Sequence, residues 1–428
     1  MELSPDTIVA LSSGAPPAAI GVIRVSGPGA GPALESLGGA LPRPRRASLR
    51  VLRDASGAVL DEALVLWLPG PGNATGEDCA ELHCHGGRAV IAAVEQALLA
   101  VPGLRRAEPG EFTRRAFANG RMDLAQAEGL ADLLFAETEL QRRVLQASAG
   151  GLLSAQFEDW RTRLLGLAAQ VEAALDFDDE DDVRGLDSGF YTGVEALQGE
   201  IEQWLARPQV ERLRDGVRVV LAGPPNAGKS TLFNALLNSE AAIVSPIAGT
   251  TRDLLERPVA LAGIPFSLID TAGLHEGGED AIERIGIDRA RAALAAADIV
   301  LWLGPEGDGP AGAWEIDAMT DAPGHHAKGG AKARLSARTG DGLAELTDAL
   351  VRAARTLLPK PGEAAVNARQ HALMGEARSA LEHIVPSLDL LVTGEQLRTA
   401  RLAFDRLIGR ATTEDMLDAL FGRFCIGK

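Results

Sequence analysis

Residues 217–238 read VRVVLAGPPNAGKSTLFNALLN, and three kinds of local order follow one another in them without a gap. Val217 to Ala222 is a short run of mostly branched apolar residues, the composition of a strand buried on both faces. Gly223-Pro-Pro-Asn-Ala-Gly228 interrupts any regular element, and STLFNALLN resumes with helical apolar spacing. A strand, a glycine-bounded loop ending in Gly228-Lys229-Ser230, and a helix make the pattern of a phosphate-binding loop. Small residues there let the backbone N–H groups from Asn226 and Ala227 through Gly228 to Thr231 wrap phosphate oxygens. Lys229 is positioned to reach the β and γ phosphates, and the Ser230 hydroxyl to hold Mg²⁺. A chance glycine-rich turn is the competing reading, and the flanking strand and helix count against it.

Further strands are legible downstream at PVALAG (258–263), FSLID (266–270) and DIVLWLG (298–304). Strands alternating with helices predict a doubly wound parallel sheet. Two motifs fall in the order such a nucleotide site needs. Gly249-Thr250-Thr251-Arg-Asp253 resembles a switch in which Thr251 binds Mg²⁺ once the γ-phosphate orders it. Asp270-Thr271-Ala272-Gly273 closes FSLID, with Asp270 as the metal-side acid and the Gly273 N–H near the γ-phosphate. Ser336-Ala337-Arg338 suits the loop that touches the base.

Base recognition is where the pattern fails. GTPases read guanine with Asn-Lys-x-Asp, and no such string lies between Asp298 and Ser336. The nearest candidate is Ala318-Met-Thr-Asp321, after the strand-like AWEID. Asp321 is either an acceptor for the guanine N1 and N2 donors or an ordinary loop acid, and the residues leave both open. PGHHAKGGAK (323–332) reads as a short, flexible loop. Leu274 stands where many GTPases position water with Gln, so a carboxylate from elsewhere is needed, with a monovalent cation in place of an arginine finger.

The remaining chain frames this domain. At 428 residues two or three domains are expected. The segment to about Asn119 is β-rich (IGVIRVSG, EALVLWLPG, CAELHCHGG), whereas the sequence from Arg121 has helical periodicity. That helical stretch runs into an acidic run, Asp176 to Asp182, read as a solvated helix end or loop. LPKPGE (358–363) looks like a linker, and helical pattern returns from Arg369 to Phe424. The fold expected is multidomain α/β plus α: an N-terminal α+β domain (1–120), a discontinuous helical domain (121–215 and 359–428), and the doubly wound P-loop domain (216–358) inserted between its halves.

A net charge of −17 argues against a chain that coats nucleic acid by itself, so RNA contact needs a local basic patch or a basic partner. The Arg142-Arg143 and Arg43–Arg46 clusters read better as solvated faces. There is no basic stretch followed by an apolar one at the N-terminus, and no apolar run of bilayer length. With three cysteines and no disulfide framework, a cytoplasmic protein without a membrane segment is expected. His83-Cys84-His85 is a poor metal set because neighbours on a strand face opposite ways, and His85 reads as a turn or core histidine. Cys425, alone in an apolar segment, reads first as a buried hydrophobe.

Several short stretches carry a resemblance. Phe424-Cys-Ile-Gly-Lys428, Asp6-Thr-Ile-Val-Ala10, Gly21-Val-Ile-Arg-Val-Ser-Gly27, Thr75-Gly-Glu-Asp78, His85-Gly-Gly87, Pro109-Gly-Glu-Phe112 and Leu124-Ala-Gln-Ala-Glu128 resemble the bacterial tRNA-modification GTPase family MnmE (TrmE). The likeness spans nearly the whole chain and departs only over 304–334. It implies a homodimer joined through folate-binding-like N-terminal domains, with GTPase domains that pair across K⁺. It also implies an FAD-containing partner, MnmG (GidA), with which an aminomethyl-type group is installed on C5 of the tRNA wobble uridine from methylenetetrahydrofolate. By position, Asn226 and backbone groups of Ser245, Ile247 and Thr250 would cage K⁺, and Glu283 in Ile-Glu-Arg-Ile-Gly286 would orient water. Arg24, Glu81, Arg121 and Lys428 would bind the tetrahydrofolate derivative; Arg121 stands where lysine is common, which keeps charge and changes geometry. The family pattern also gives Cys425 a role in the modification chemistry. Two other readings compete: a GTPase switch in ribosome assembly, separated by folate binding, and a scaffold without nucleotide activity, separated by hydrolysis.

Overall fold

The structure is a computed structural model that describes residues 6–176, 186–239, 242–244, 256–271 and 290–428. Two compact units are present: Met1–Ala131 with Asp405–Lys428, and Asp132–Phe404. The acidic run, apart from Asp176 at the end of a helix, lies outside the described residues.

The first unit is built on a six-stranded sheet of β1 (Thr7–Leu11), β2 (Ile20–Ser26), β3 (Ser48–Arg53), β4 (Val59–Leu68), β5 (Cys79–His85) and β6 (Leu104–Arg106), in the order β3-β4-β5-β2-β1-β6. All neighbours are antiparallel except β1 and β6. Helices α1 (Ala30–Gly38) and α2 (Arg88–Leu99) cover one face. Alternation decides what each face carries. Ile23, Val25, Leu82 and Val65 point inward and join Ala33, Leu34, Val94 and Leu98 in the core. The cross-strand partners Leu49 and Leu64, Val51 and Glu62, Val22 and His83, and Arg24 and Glu81 occupy the other face. Ile20, Leu49, Val51 and Leu64 there are 39–60% exposed. Cys84 is buried while its neighbour His85 is exposed at the strand end, its ring bound to Asp61 at 2.7 Å. His85 is therefore neither a turn nor a core residue.

Next come α3 (Glu111–Ala118) and α4 (Leu124–Leu133). A buried ion cluster explains two of the short motifs. The Arg115 guanidinium on α3, 5% exposed, meets Asp6 at 2.8 Å, Glu77 at 3.1 Å and Glu111 at 3.1 Å. Glu77 of Thr-Gly-Glu-Asp and Glu111 of Pro-Gly-Glu-Phe thus converge on one buried cation.

The second unit carries α5 (Glu139–Ala149), α6 (Leu152–Asp176), α7 (Ser188–Leu205) and α8 (Val210–Asp215). Its sheet comprises β7 (Val217–Ala222), β8 (Ala242–Val244), β9 (Glu256–Leu261), β10 (Ile264–Asp270), β11 (Ile299–Trp302), β12 (Trp314–Asp317) and β13 (Ala333–Arg334), in the order β13-β12-β11-β7-β10-β9-β8. The five strands from β13 to β10 are parallel, and β9 and β8 extend them as an antiparallel edge. α9 (Lys229–Leu237) and α10 (Leu343–Leu357) pack on it, the latter through Leu346, Leu350, Val351 and Ala354, spaced for one helical face. α11 (Ala368–Glu382) lies against α7, and Trp160, Phe157, Trp204 and Phe404 form an aromatic cluster with ring centroids about 6.0 Å apart. α12 (Leu390–Ile408) leads back to the first unit.

There the chain ends in α13 (Glu414–Phe421), docked on α3. Arg114 forks between Glu414 at 2.5 Å and Asp418 at 2.8 Å, one helical turn apart. Leu417, Leu420, Phe421 and Phe424 fill a cluster with Leu124, Ala127 and Ala131, and Ile426 bridges to Pro109. Gly110 makes this docking possible. Its φ is +70°, and a methyl group there would run into the Phe421 carbonyl. Gly110→Ala is expected to lower stability by about 2–4 kcal/mol through strain plus collision, and to open the C-terminal segment to proteolysis. Gly120→Ala, at φ +65° with open space around it, should cost only about 1 kcal/mol. Thermal melting and limited proteolysis of both variants check the difference; equal melting shifts would refute it.

Candidate nucleotide and N-terminal sites

β7 lies between β10 and β11, where the strand order reverses, so the loop after β7 opens at the carboxyl edge of the parallel sheet. Two positive φ angles shape that loop, +63° at Asn226 and +89° at Gly228. They turn successive backbone N–H groups toward the start of α9, where the helix dipole also favours an anion. Lys229 is buried, and its ammonium donates to the carbonyls of Gly223 at 2.9 Å and Pro224 at 2.8 Å. Burial pushes its pKa below the usual lysine value, opposed by the Asp270 charge.

Pairing of β10 with β7 sets Asp270 opposite Leu221. Asp270 accepts a 2.7 Å hydrogen bond from Ser230 Oγ, and Thr271 donates to the Leu221 carbonyl at 2.8 Å. A serine hydroxyl and a buried carboxylate side by side are hard oxygen donors, the chemistry that suits Mg²⁺. Ser245, Ile247, Thr250, Thr251, Ala272, Gly273 and Glu283 lie outside the described residues.

Behind the phosphate loop is a cleft of about 290 Å³ lined by Gly228, Thr231, Met319, Asp321, Ala337 and Arg338, among others. Met319, at φ +56°, rests on the phosphate loop: its Cγ lies 3.6 Å from where a Gly228 side chain would begin. Asp321 accepts from Ser336 Oγ at 2.6 Å and pairs with Arg338 at 3.2 Å. The Ser336 hydrogen bond, with help from Arg338, holds the Asp321 carboxyl below the usual range. Asp321 is therefore ionised at neutral pH beside the base-loop residues Ser336 to Arg338. Segment 323–332 differs from expectation. It is tied down at several points: Lys328 pairs with Glu315 at 3.0 Å, and the N–H groups of Gly329 and Gly330 donate to Glu306 at 3.0 and 2.6 Å. Charged partners on neighbouring segments, invisible in the local composition, hold it.

In the first unit, Arg24 and Glu81 face each other across β2 and β5 at 2.9 Å. His83, two residues along the same strand, reaches the second Glu81 oxygen at 3.4 Å, and the Phe112 ring lies 5.7 Å from the Arg24 guanidinium. Neither His83, weighed only as a metal ligand, nor Phe112, quoted only in a motif, was assigned to this site from the sequence; the Glu81/His83 spacing of two on a strand was the available signal. Arg121 donates to the Asn73 carbonyl at 3.0 Å, and Lys428 closes a turn on the Cys425 carbonyl at 3.2 Å. Cys425 is exposed, contrary to the buried-hydrophobe reading, because its segment runs along the surface beside Pro109 and Gly110. Cys79 and Cys84 are buried, and burial raises both thiols, Cys84 to about 12.

Residues 124–425 match the family model described as MnmE helical domain, and residues 7–121 match GTP-binding protein TrmE N-terminus. The tRNA modification GTPase MnmE of Erythrobacter litoralis (strain HTCC2594) is 73% identical over 423 residues, covering 99% of this chain and 100% of that protein. Those of Novosphingobium aromaticivorans and Rhizorhabdus wittichii are 60% and 61% identical, each over 99% of this chain and over 100% and 97% of their own lengths. Similarity at this level over essentially full length, on a phosphate-loop sheet joined to a TrmE-type N-terminal unit, leaves one conclusion: the chain belongs to the MnmE family of tRNA modification GTPases.

Proposed function

We propose that this chain hydrolyses GTP in a K⁺-activated reaction and, with an FAD-containing MnmG-type partner, takes part in forming the C5 aminomethyl-type modification of wobble uridine in tRNA from a folate one-carbon donor. The observation that carries the nucleotide part is the convergence of Lys229, Ser230 and Asp270 at the carboxyl ends of β7 and β10. Ser230, Thr251 and Asp270 would hold Mg²⁺, which would neutralise phosphate charge. Lys229, its charge disfavoured by burial, is set to trade the Gly223 and Pro224 carbonyls for phosphate oxygens. Asn226, whose left-handed backbone turns it at the loop apex, with Ser245, Ile247 and Thr250, is assigned to K⁺. Glu283 orients the attacking water in place of the missing Gln. Asp321 reads the guanine N1 and N2 donors.

For folate, Arg24, Glu81, Arg121 and Lys428 are assigned, with Glu81 as a two-oxygen acceptor for pterin N–H groups. The Arg24, Glu81 and His83 group shares its sheet face with Ile20, Leu49, Val51 and Leu64. That exposed apolar face supports a homodimer through the first unit. The domain boundaries proposed are 1–120, 121–215, 216–358 and 359–428. A ribosome-assembly switch is the second reading; it predicts no folate binding.

Phosphate release from GTP in matched KCl and NaCl tests the function, with ATP and XTP as competitors. Activation confined to KCl, with preference for GTP, is expected; cation-indifferent hydrolysis would overturn the K⁺ assignment. Glu283→Ala should keep nucleotide affinity and lose about 100-fold or more in kcat, since it removes water positioning alone. Equal turnover by the variant sinks that role. Native iodoacetamide labelling followed by mass spectrometry should modify Cys425 and spare Cys79 and Cys84. Cys425→Ser should leave GTP hydrolysis intact and abolish tRNA modification; a variant active in both would remove Cys425 from the chemistry.

A further inference from the structure

The loop over the base cleft leaves β12 at Asp317 and carries Met319 and Asp321 before reaching His325. Two successive turns shape it, with Ala322 N–H donating to Met319 O at 2.9 Å and His325 N–H to Ala322 O at 3.2 Å. Its two ends then meet. Asp317 is 1% exposed, and its Oδ1 lies 3.0 Å from His325 Nε2. The other oxygen faces Arg334 Nε at 3.6 Å, from the adjoining position of β13. Neither Asp317 Oδ2 nor His325 Nε2 makes a well-aligned hydrogen bond among the described residues, so the three side chains are joined by close approach alone.

We infer that the Asp317–His325 pair, backed by Arg334, is the positioning clamp that sets Met319 and Asp321 for base recognition, replacing the anchorage the absent Asn-Lys residues would give. The inference rests on reading the cleft as a guanine site. The physical logic is that an acceptor discriminates between bases only when fixed to within a fraction of an ångström. Ser336 and Arg338 restrain the Asp321 carboxylate, but neither restrains the backbone that bears it. Thr320 N–H ties the near side of that backbone to Leu335 O at 3.3 Å, and the clamp ties its far side by closing the loop on its own starting residue. Neither His325 nor Asp317 lines the cleft, so their effect reaches the nucleotide only through the loop.

The test is steady-state hydrolysis by the full chain of GTP and XTP, for the wild type, His325→Ala, His325→Lys and Asp321→Asn. His325→Ala should raise KM for GTP about tenfold with kcat within about twofold, and shrink the GTP-over-XTP ratio in parallel. His325→Lys, which places a donor opposite Asp317 again, should recover most of both. An unchanged KM and ratio in His325→Ala would overturn the clamp, as would a loss that His325→Lys fails to restore. Circular dichroism melting of His325→Ala separates misfolding from misplacement: a folded variant with unaltered KM counts against the clamp. Should the variant not fold, Arg334→Gln carries the same prediction at smaller amplitude. If the wild type itself does not prefer GTP, or Asp321→Asn leaves its preference unaltered, the guanine reading fails. If those two behave as a guanine site and His325→Ala matches wild type, only the clamp fails.

Discussion

The nucleotide half of the molecule depends on the in-register pairing of β10 with β7. That pairing puts Asp270 beside the end of β7, where Ser230 Oγ at the head of α9 reaches it. A slip of one residue would turn Asp270 to the other face of the sheet and break the bond. Apolar side chains prevent the slip: Val219, Leu221, Phe266 and Leu268 are buried on one side of the sheet in a single continuous cluster. Hydrophobic burial, which has no direction of its own, thereby fixes a polar contact to a few tenths of an ångström. The Asn226 and Gly228 backbone then has one shape available between a strand end and a helix start that are both already placed.

The first unit solves a different problem. It must keep a charged cluster on a sheet face that also carries exposed apolar side chains. Arg24 and Glu81 satisfy one another across the strands, and His83 takes up the remaining carboxylate oxygen. Deeper in, Arg115 gathers three carboxylates from β1's approach, the loop before β5 and its own helix. Breaking such a buried group would strand an uncompensated charge, so its members act together as a framework.

Much of this could be read from residue order because the decisive signals were local. Strand, glycine loop and helix at 217–238 lie within one window, and the apolar runs 258–263, 266–270 and 298–304 became β9, β10 and β11. What escaped was set by partners distant in sequence. Glu77 gives no local hint that it reaches Arg115, although Glu111 lies one helical turn before that arginine. The 323–332 segment looks loose because its restraints, Glu306 and Glu315, belong to earlier residues. The antiparallel edge formed by β8 and β9 likewise follows from pairing order, which composition does not carry. Cys425 misled for a related reason: an apolar neighbourhood in sequence does not establish a covered one in space. Asp321 could be found by its place after a strand, but its bond to Ser336 required the fold.

The first unit takes its closing helix and tail from Asp405–Lys428, on the far side of 132–404 in the chain. Order of synthesis therefore becomes order of assembly. While the ribosome is still making the middle of the protein, the early sheet exists without α13, and the apolar groups of α4 and α3 that α13 covers stand open. The nucleotide unit, continuous in sequence, is free to fold first. A chain whose synthesis aborts just short of Asp405 could thus hold a finished nucleotide unit but not a finished N-terminal one. In the cell such fragments would carry a standing mark for quality control, an uncovered apolar seam that the full-length protein hides.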